Sequence, residues 1–249
     1  MAIRRFDVFR GTRERGALEE FRVDCDEGMV VLDAVHRIQA QQAPDLACRW
    51  NCKAGKCGSC SAEVNGRPKL LCMTRLSDYA LDSSITITPM RAFPVIKDLV
   101  TDVSWNYQVN RRIPEFTPRP PDFPDGSWRM YQHEVERPQE FRKCIECFLC
   151  QDVCHVLRTH QKHGEFMGPA FLVRAAVYET HPLDTANRAR YLKEEGGIGY
   201  CNITKCCTEV CPESIHITDN AIIPLKERVV DQYYDPFKKL LRWVTGRPT

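Results

Sequence analysis

Extended, apolar-rich runs over Ile3 to Phe9 and Glu20 to Asp24 predict two strands of a hairpin that turns between Gly11 and Gly16. From Val30 to Gln41 the period changes. Val31, Ala34, Val35 and Ile38 fall on one face, which predicts a helix. Between Ser61 and Leu71 the pair Asn65-Gly66 separates two extended runs, a strong hairpin signal. Ile85, Ile87 and the threonines beside them predict a last strand, stopped by Pro89. From Val95 the pattern turns helical, and Val95 to Val109 is expected to form one helix. Residues 113–124 hold five prolines in twelve positions, which forbids helix and favours stiff, extended backbone. Beyond it lie short helical stretches, among them Phe171 to Tyr178 and Thr185 to Glu194, and no strand-rich stretch. The expected class is α+β. A mixed sheet crossed by one helix occupies residues 1–105, and an all-helical unit occupies residues 106–249.

A chain of 249 residues with 43% hydrophobic content is long enough for two ordinary cores. The net charge of +2 favours neither nucleic acid nor an anionic membrane surface as a partner. No apolar run approaches the roughly 18 residues of a spanning helix. The best candidate, Phe166 to Tyr178, is interrupted by Arg174. The N-terminal Met-Ala-Ile-Arg-Arg-Phe-Asp has no apolar core of a signal peptide, so the expected location is cytosolic. Fourteen cysteines would suit a secreted disulfide scaffold, but a long chain without an export signal, whose cysteines cluster closely, points to metal ligation.

Eleven of those cysteines fall into two patterns. Cys52-x4-Cys57-x2-Cys60, followed by Cys72, is the plant-type ferredoxin spacing for a [2Fe–2S] cluster, and the predicted sheet suits the β-grasp arrangement of such ferredoxins. Gly55 and Gly58 permit the tight loop this needs, and backbone N–H groups aimed at the sulfurs would raise the reduction potential. A four-cysteine zinc site is the alternative, but structural zinc uses pairs on two knuckles, whereas here three cysteines share one loop. Cys144-x2-Cys147-x2-Cys150-x3-Cys154 is the bacterial ferredoxin run, whose fourth cysteine serves a different cluster. Cys211, followed by Pro212, then completes a [4Fe–4S] site with Cys144, Cys147 and Cys150. Cys154 joins Cys201 and Cys207, and three thiolates suit a [3Fe–4S] centre. Cys206 makes eight cysteines in this half, enough for two cubes. Neighbours in a helix point about 100° apart, however, so Cys206 is expected to turn away as a bystander.

With these motifs the whole chain resembles the iron–sulfur subunit of succinate dehydrogenase and fumarate reductase. The resemblance implies [2Fe–2S] on Cys52, Cys57, Cys60 and Cys72, [4Fe–4S] on Cys144, Cys147, Cys150 and Cys211, and [3Fe–4S] on Cys154, Cys201 and Cys207. It implies a flavoprotein partner that oxidises succinate on FAD, a membrane anchor of one or more chains, and quinone at the interface with that anchor. The chain itself would carry electron-transfer centres and no succinate site. It would be peripheral, held by the anchor at the cytoplasmic face of the cell membrane. The reverse reaction, fumarate reduction, is the alternative, and a free soluble multi-cluster carrier is the reading from another class. The chain departs from the family pattern at several places. Cys154-His155 lacks the usual following proline, no tryptophan stands five residues beyond Cys154, Phe148 replaces a usual glycine, and Thr204 replaces an apolar residue. Cys25 and Cys48 are expected to be small buried side chains. His155, His160 and His163 are candidates for a quinone or proton path, and Asp235 to Val244 for a helix lying on the anchor or lipid.

Overall fold

A computed structural model of the chain describes residues 2–236. The sequence-predicted segment beyond Pro236 lies outside them. The first hairpin pairs β1 (Ala2–Gly11) with β2 (Gly16–Cys25) in antiparallel register, Phe6 opposite Phe21. Arg4, Phe6 and Val8 of β1 and Phe21, Val23 and Cys25 of β2 are buried, one residue in two, as a sheet with one covered face requires. Helix α1 (Val31–Gln41) crosses that face with Leu32, Val35 and Ile38. Its first turn is held by Asp33, whose carboxylate accepts the Val30 N–H at 3.1 Å.

Strands β3 (Ser61–Val64) and β4 (Arg67–Leu70) flank the Asn65-Gly66 turn, and β5 (Ile85–Thr88) inserts between the hairpins. The sheet order is β2-β1-β5-β3-β4, with β5 parallel to β1 and antiparallel to β3. All four residues of β3 are buried. Its second face is covered by the helical half of the chain, and this places Ser61 and Glu63 between the two units.

The helix expected over Val95 to Val109 is corrected. Val95–Lys97 (β6) and Val100–Thr101 (β7) form a small hairpin, and α2 begins only at Ser104 and ends at Arg112. Asp98 makes the turn at φ 49° and is almost fully buried. Its carboxylate accepts the N–H groups of Gly11 (2.7 Å) and Ala47 (2.8 Å) and pairs with Arg10 at 2.9 Å. Those tertiary bonds outweigh the helical spacing of Val95, Leu99 and Val103.

The proline-rich segment runs extended over the helical unit. Buried Arg188 donates to the carbonyls of Pro114 (2.8 Å) and Glu115 (2.6 Å) and pairs with Asp184 (2.8 Å) and Glu179 (3.5 Å). A buried guanidinium survives only with such partners. The helical unit then builds from α3 (Gln132–Phe141), α4 (Leu149–Val153), α5 (His155–Arg158), α6 (Pro169–Glu179), α7 (Ala189–Glu194), α8 (Cys206–Glu209) and α9 (Ile223–Tyr233). A wider turn, Ile217–Ile222, leads into α9. The central α6 starts on Gly168 and Pro169, proline suiting the first helical turn, and buries Phe171, Leu172, Ala175 and Ala176. Apart from an isolated bridge between Pro118 and Asp184, the described residues after Thr101 form no strand pairing.

Candidate metal centres

Three loops, over residues 52–60, 144–150 and 201–207, carry most of the predicted ligand cysteines, and each holds residues with left-handed backbone. In the first, Lys53, Gly55 and Gly58 have φ of 53°, 68° and 68°. In the second, Glu146 and Phe148 lie at 53° and 60°, and in the third, Ile203 and Lys205 lie at 62°. A non-glycine residue in this region costs about 1–2 kcal/mol. Such positions turn successive N–H groups into a concave nest that favours a bound anion, the setting of many iron–sulfur sites. Strain at Lys53, Glu146, Phe148, Ile203 and Lys205 is therefore concentrated where anionic sulfur would sit.

The second and third loops are one motif used twice. Left-handed residues fall two and four positions after Cys144 and likewise after Cys201, and a cysteine closes each loop at the sixth, Cys150 and Cys207. The position that holds Cys147 in one holds Thr204 in the other.

In the first loop the N–H groups of Ala54 (3.4 Å) and Lys56 (3.3 Å) donate to Cys52 Sγ, and the Cys72 N–H donates to Cys60 Sγ at 3.5 Å. Cys57 interacts with Cys52, and Cys60 with both Cys57 and Cys72, so all four predicted ligands converge. The Ser59 side chain, donating to sulfur, pulls the Cys57 thiol down to about 6. Burial pushes Cys60 up to about 12.

Cys144, Cys147, Cys150 and Cys211 line one hollow, together with Pro212. Cys154, Cys201, Cys206 and Cys207 line a second. Cys150 and Cys154 lie on and just after α4, so one short helix serves both hollows. Burial pushes Cys147 up to about 12, Cys154 and Cys207 to about 11, and Cys150 well above the ordinary thiol range. Thiols buried in this way ionise when a bound cation supplies the compensating charge, and thiolate is a soft ligand suited to iron–sulfur centres. Among the described residues no three His, Cys, Asp or Glu side chains close on a point tightly enough for a single ion. The donor set and the nests fit clusters.

Cys206 does not turn away from the third hollow as helical spacing led us to expect. It is the first residue of α8, directly after left-handed Lys205, and lines the hollow with Cys207. Cys25 and Cys48 line neither hollow. Cys25 is buried with its thiol on the Val23 carbonyl. His155 lines the third hollow, His160 is exposed beside it, and His163 packs under Trp105 at 4.7 Å between ring centres. A further cleft of about 700 Å³, lined among others by Phe9, Phe93, Trp105 and His163, contains no cysteine.

Sequence reasoning missed how closely the units interlock. The Ser61 hydroxyl lies 2.8 Å from both the Gly58 and the Cys147 carbonyls. Behind it, fully buried Glu63 and Asp152 face one another. Arg91 (2.9 Å) and Arg158 (2.8 Å) pair with Glu63 Oε2, and the Ala92 N–H donates to Asp152 at 2.9 Å. Glu63 Oε1 and Asp152 Oδ2 have no donor among the described residues, and a proton shared between them satisfies both. Burial, then the nearby Glu63 charge, raises Asp152 to about 7. The folded state therefore holds a proton that the unfolded chain releases near pH 4, and stability falls as pH rises from about 4 to about 7. Asp152→Asn, whose amide replaces the shared proton, removes that loss. Thermal melts from pH 5.5 to 8.5 should show the variant gaining several degrees over wild type toward high pH, with a plateau above about 7.5. A constant offset across that range would refute the shared proton.

Residues 1–108 match the family described as 2Fe-2S iron-sulfur cluster binding domain, and residues 140–215 match the 4Fe-4S dicluster domain. The chain is 32% identical over 204 residues to the fumarate reductase iron-sulfur subunit of Mycobacterium tuberculosis, covering 79% of this chain and 80% of that one. It is 27% identical over 237 residues to the succinate dehydrogenase iron-sulfur subunit of Paracoccus denitrificans, covering 92% and 89%. A chain of the solved Mycobacterium smegmatis Sdh1 complex in the apo form is 59% identical, with a TM-score of 0.91 over 94% of this chain and 98% of that one. With its two cluster domains in this order, the chain belongs to the family of succinate dehydrogenase and fumarate reductase iron–sulfur subunits, the electron-transfer part of that enzyme.

Proposed function

We propose that this subunit relays electrons from the flavin of a succinate-oxidising partner to quinone, over [2Fe–2S] on Cys52, Cys57, Cys60 and Cys72, [4Fe–4S] on Cys144, Cys147, Cys150 and Cys211, and [3Fe–4S] on Cys154, Cys201 and Cys207. When bound, each cluster takes up and gives back one electron at a time. The observation that carries the reading is the repeated loop: Thr204 stands where its twin has Cys147, so at the matching positions the third loop supplies only Cys201 and Cys207 where its twin supplies three cysteines. A β-grasp first unit (residues 1–105) and a helical second unit (106–249) fit the observed order of elements.

The arrangement also suits a directional relay. Residues 49–54 are exposed beside the first site, Cys147 and Cys150 are buried in the middle, and residues 202–205 are exposed at the third. The two ends can meet a flavoprotein and a membrane anchor while the middle stays dry. No helix among the described residues is long and apolar enough to cross a membrane, which suits a peripheral chain held at the cytoplasmic face by its anchor. Fumarate reduction uses the same residues in reverse and is favoured by the name of the 32% identical relative. Iron analysis and low-temperature EPR of the complex during stepwise reduction test the reading. Three paramagnetic centres are expected, and bound zinc or a missing three-iron signal in the oxidised protein would sink it.

A further inference from the structure

We infer that the cleft between the sheet and the helices is a binding site for a long-chain carboxylate. Its volume of about 700 Å³ is that of a small-molecule site, and such sites favour the boundary between units. Phe9, Thr86 and Thr88 of the sheet line it, together with Trp105 of α2 and His163. None of its lining residues belongs to the exposed runs 49–54 and 202–205 that would meet the partner subunits, and none is a cysteine. The wall is held in place, because the Trp105 indole N–H donates to the His163 carbonyl at 3.0 Å. Little ordering is then left for an occupant to impose.

Charge and shape together select the ligand. Arg13 and Arg91 line the cleft, and no Asp or Glu does. Arg13 is exposed and has no acid partner among the described residues. Arg91 bonds one oxygen of Glu63, which Arg158 shares, and its side chain stays 59% exposed. A carboxylate can therefore accept hydrogen bonds from guanidinium groups without displacing an existing pair. The apolar wall holds Phe93, Pro94 and Trp105, and its rings stand across one another, Phe93 at 65° and Trp105 at 77° to His163. Crossed rings leave no parallel slot for a flat ring system, whereas a flexible alkyl chain packs against them. Binding makes and breaks no covalent bond. The carboxylate meets Arg91, Arg13 adds positive charge at the rim, and the chain takes the apolar wall out of water.

The test is photolabelling of the purified complex with a diazirine-bearing stearic acid, followed by mass spectrometry of its peptides. Label is expected on the cleft segments around Phe9, Phe93 and Trp105, and excess oleate should suppress it at least tenfold. A diazirine alkylamine of the same length should leave those segments unlabelled. Arg13→Glu, a change at an exposed side chain, is expected to lower the labelling at least threefold. Thr86→Trp, which fills the cleft, should abolish it, with succinate oxidation at an artificial acceptor as the control for an intact complex. The oleate and amine arms decide the matter on wild type even where Thr86→Trp fails to assemble. Absence of label from the cleft in the complex overturns the inference, and so does equal labelling by the amine. Labelling of the cleft by a diazirine phospholipid that oleate does not displace would make the occupant a membrane lipid, and protection by a quinone analogue but not by oleate would make it quinone. Either result overturns it as well.

Discussion

Replacing Cys207 by alanine is expected to abolish the three-iron EPR signal and to lower succinate-driven quinone reduction by more than about a hundredfold, beyond the range seen when mere supporting residues of metal sites are lost. Succinate oxidation with an artificial acceptor that takes electrons at the flavin should persist. The reason lies in position. Cys207 is buried, its sulfur 3.5 Å from Thr218 Oγ1, and it closes the hollow nearest the exposed residues 202–205. Removing it deletes the last centre of the relay and leaves the first two loops untouched. The [2Fe–2S] signal serves as the folding control. Quinone reduction that survives with the third signal gone would mean that electrons leave by another centre, and the proposed order would fall.

The second large effect is expected at Gly58. Its φ is +68°, and a Cβ built there would lie 2.6 Å from Cys147 Cα, 2.9 Å from Cys147 Cβ and 3.0 Å from Cys147 N. These are main-chain atoms or atoms fixed to them, so no rotamer change relieves the clash. Gly58→Ala must push the first cluster loop off the second, and Ser61 then loses its position between the two carbonyls. We expect a loss of several kcal/mol and less than stoichiometric iron in the complex. Gly28→Ala separates the two causes. Gly28 has φ +87° with nothing within 4 Å, so it measures the backbone strain alone, about 1 kcal/mol. Equal losses at the two positions would show that the loops do not touch as described.

Both predictions depend on features of unequal legibility. The cysteine spacings and the Asn65-Gly66 hairpin were legible because they are local: ligands within one loop, and a turn whose residues dictate its geometry. The pairing of Cys211 with a run far upstream was legible only through the ferredoxin crossing rule. The hairpin at Val95 to Thr101 was not legible, because the bonds that decide it come from Gly11, Ala47 and Arg10, and only the fold brings them to Asp98. Cys206 misled for a subtler reason. The 100° offset holds inside a helix, but Cys206 opens one after a left-handed residue. Left-handed Glu146, Ile203 and Lys205 carry no signal, since none is glycine, and at Phe148 the hint lies in the glycine usual in the family. The contacts of Gly58 with Cys147 and of Glu63 with Asp152 likewise belong to the fold.

The sharing of α4 between two hollows sets an order of manufacture. A ribosome releases the chain from its N-terminus, and units that are complete early can fold early. The first site closes once Cys72 has emerged. Neither of the other two can close then, because Cys150 waits for Cys211, and Cys154 waits for Cys201 and Cys207. Until residue 211 is made, the cysteines around α4 are half-built sockets that a stray metal ion or oxidant can reach. The two inner clusters are therefore expected to be inserted together and late, into a chain whose first domain is already standing.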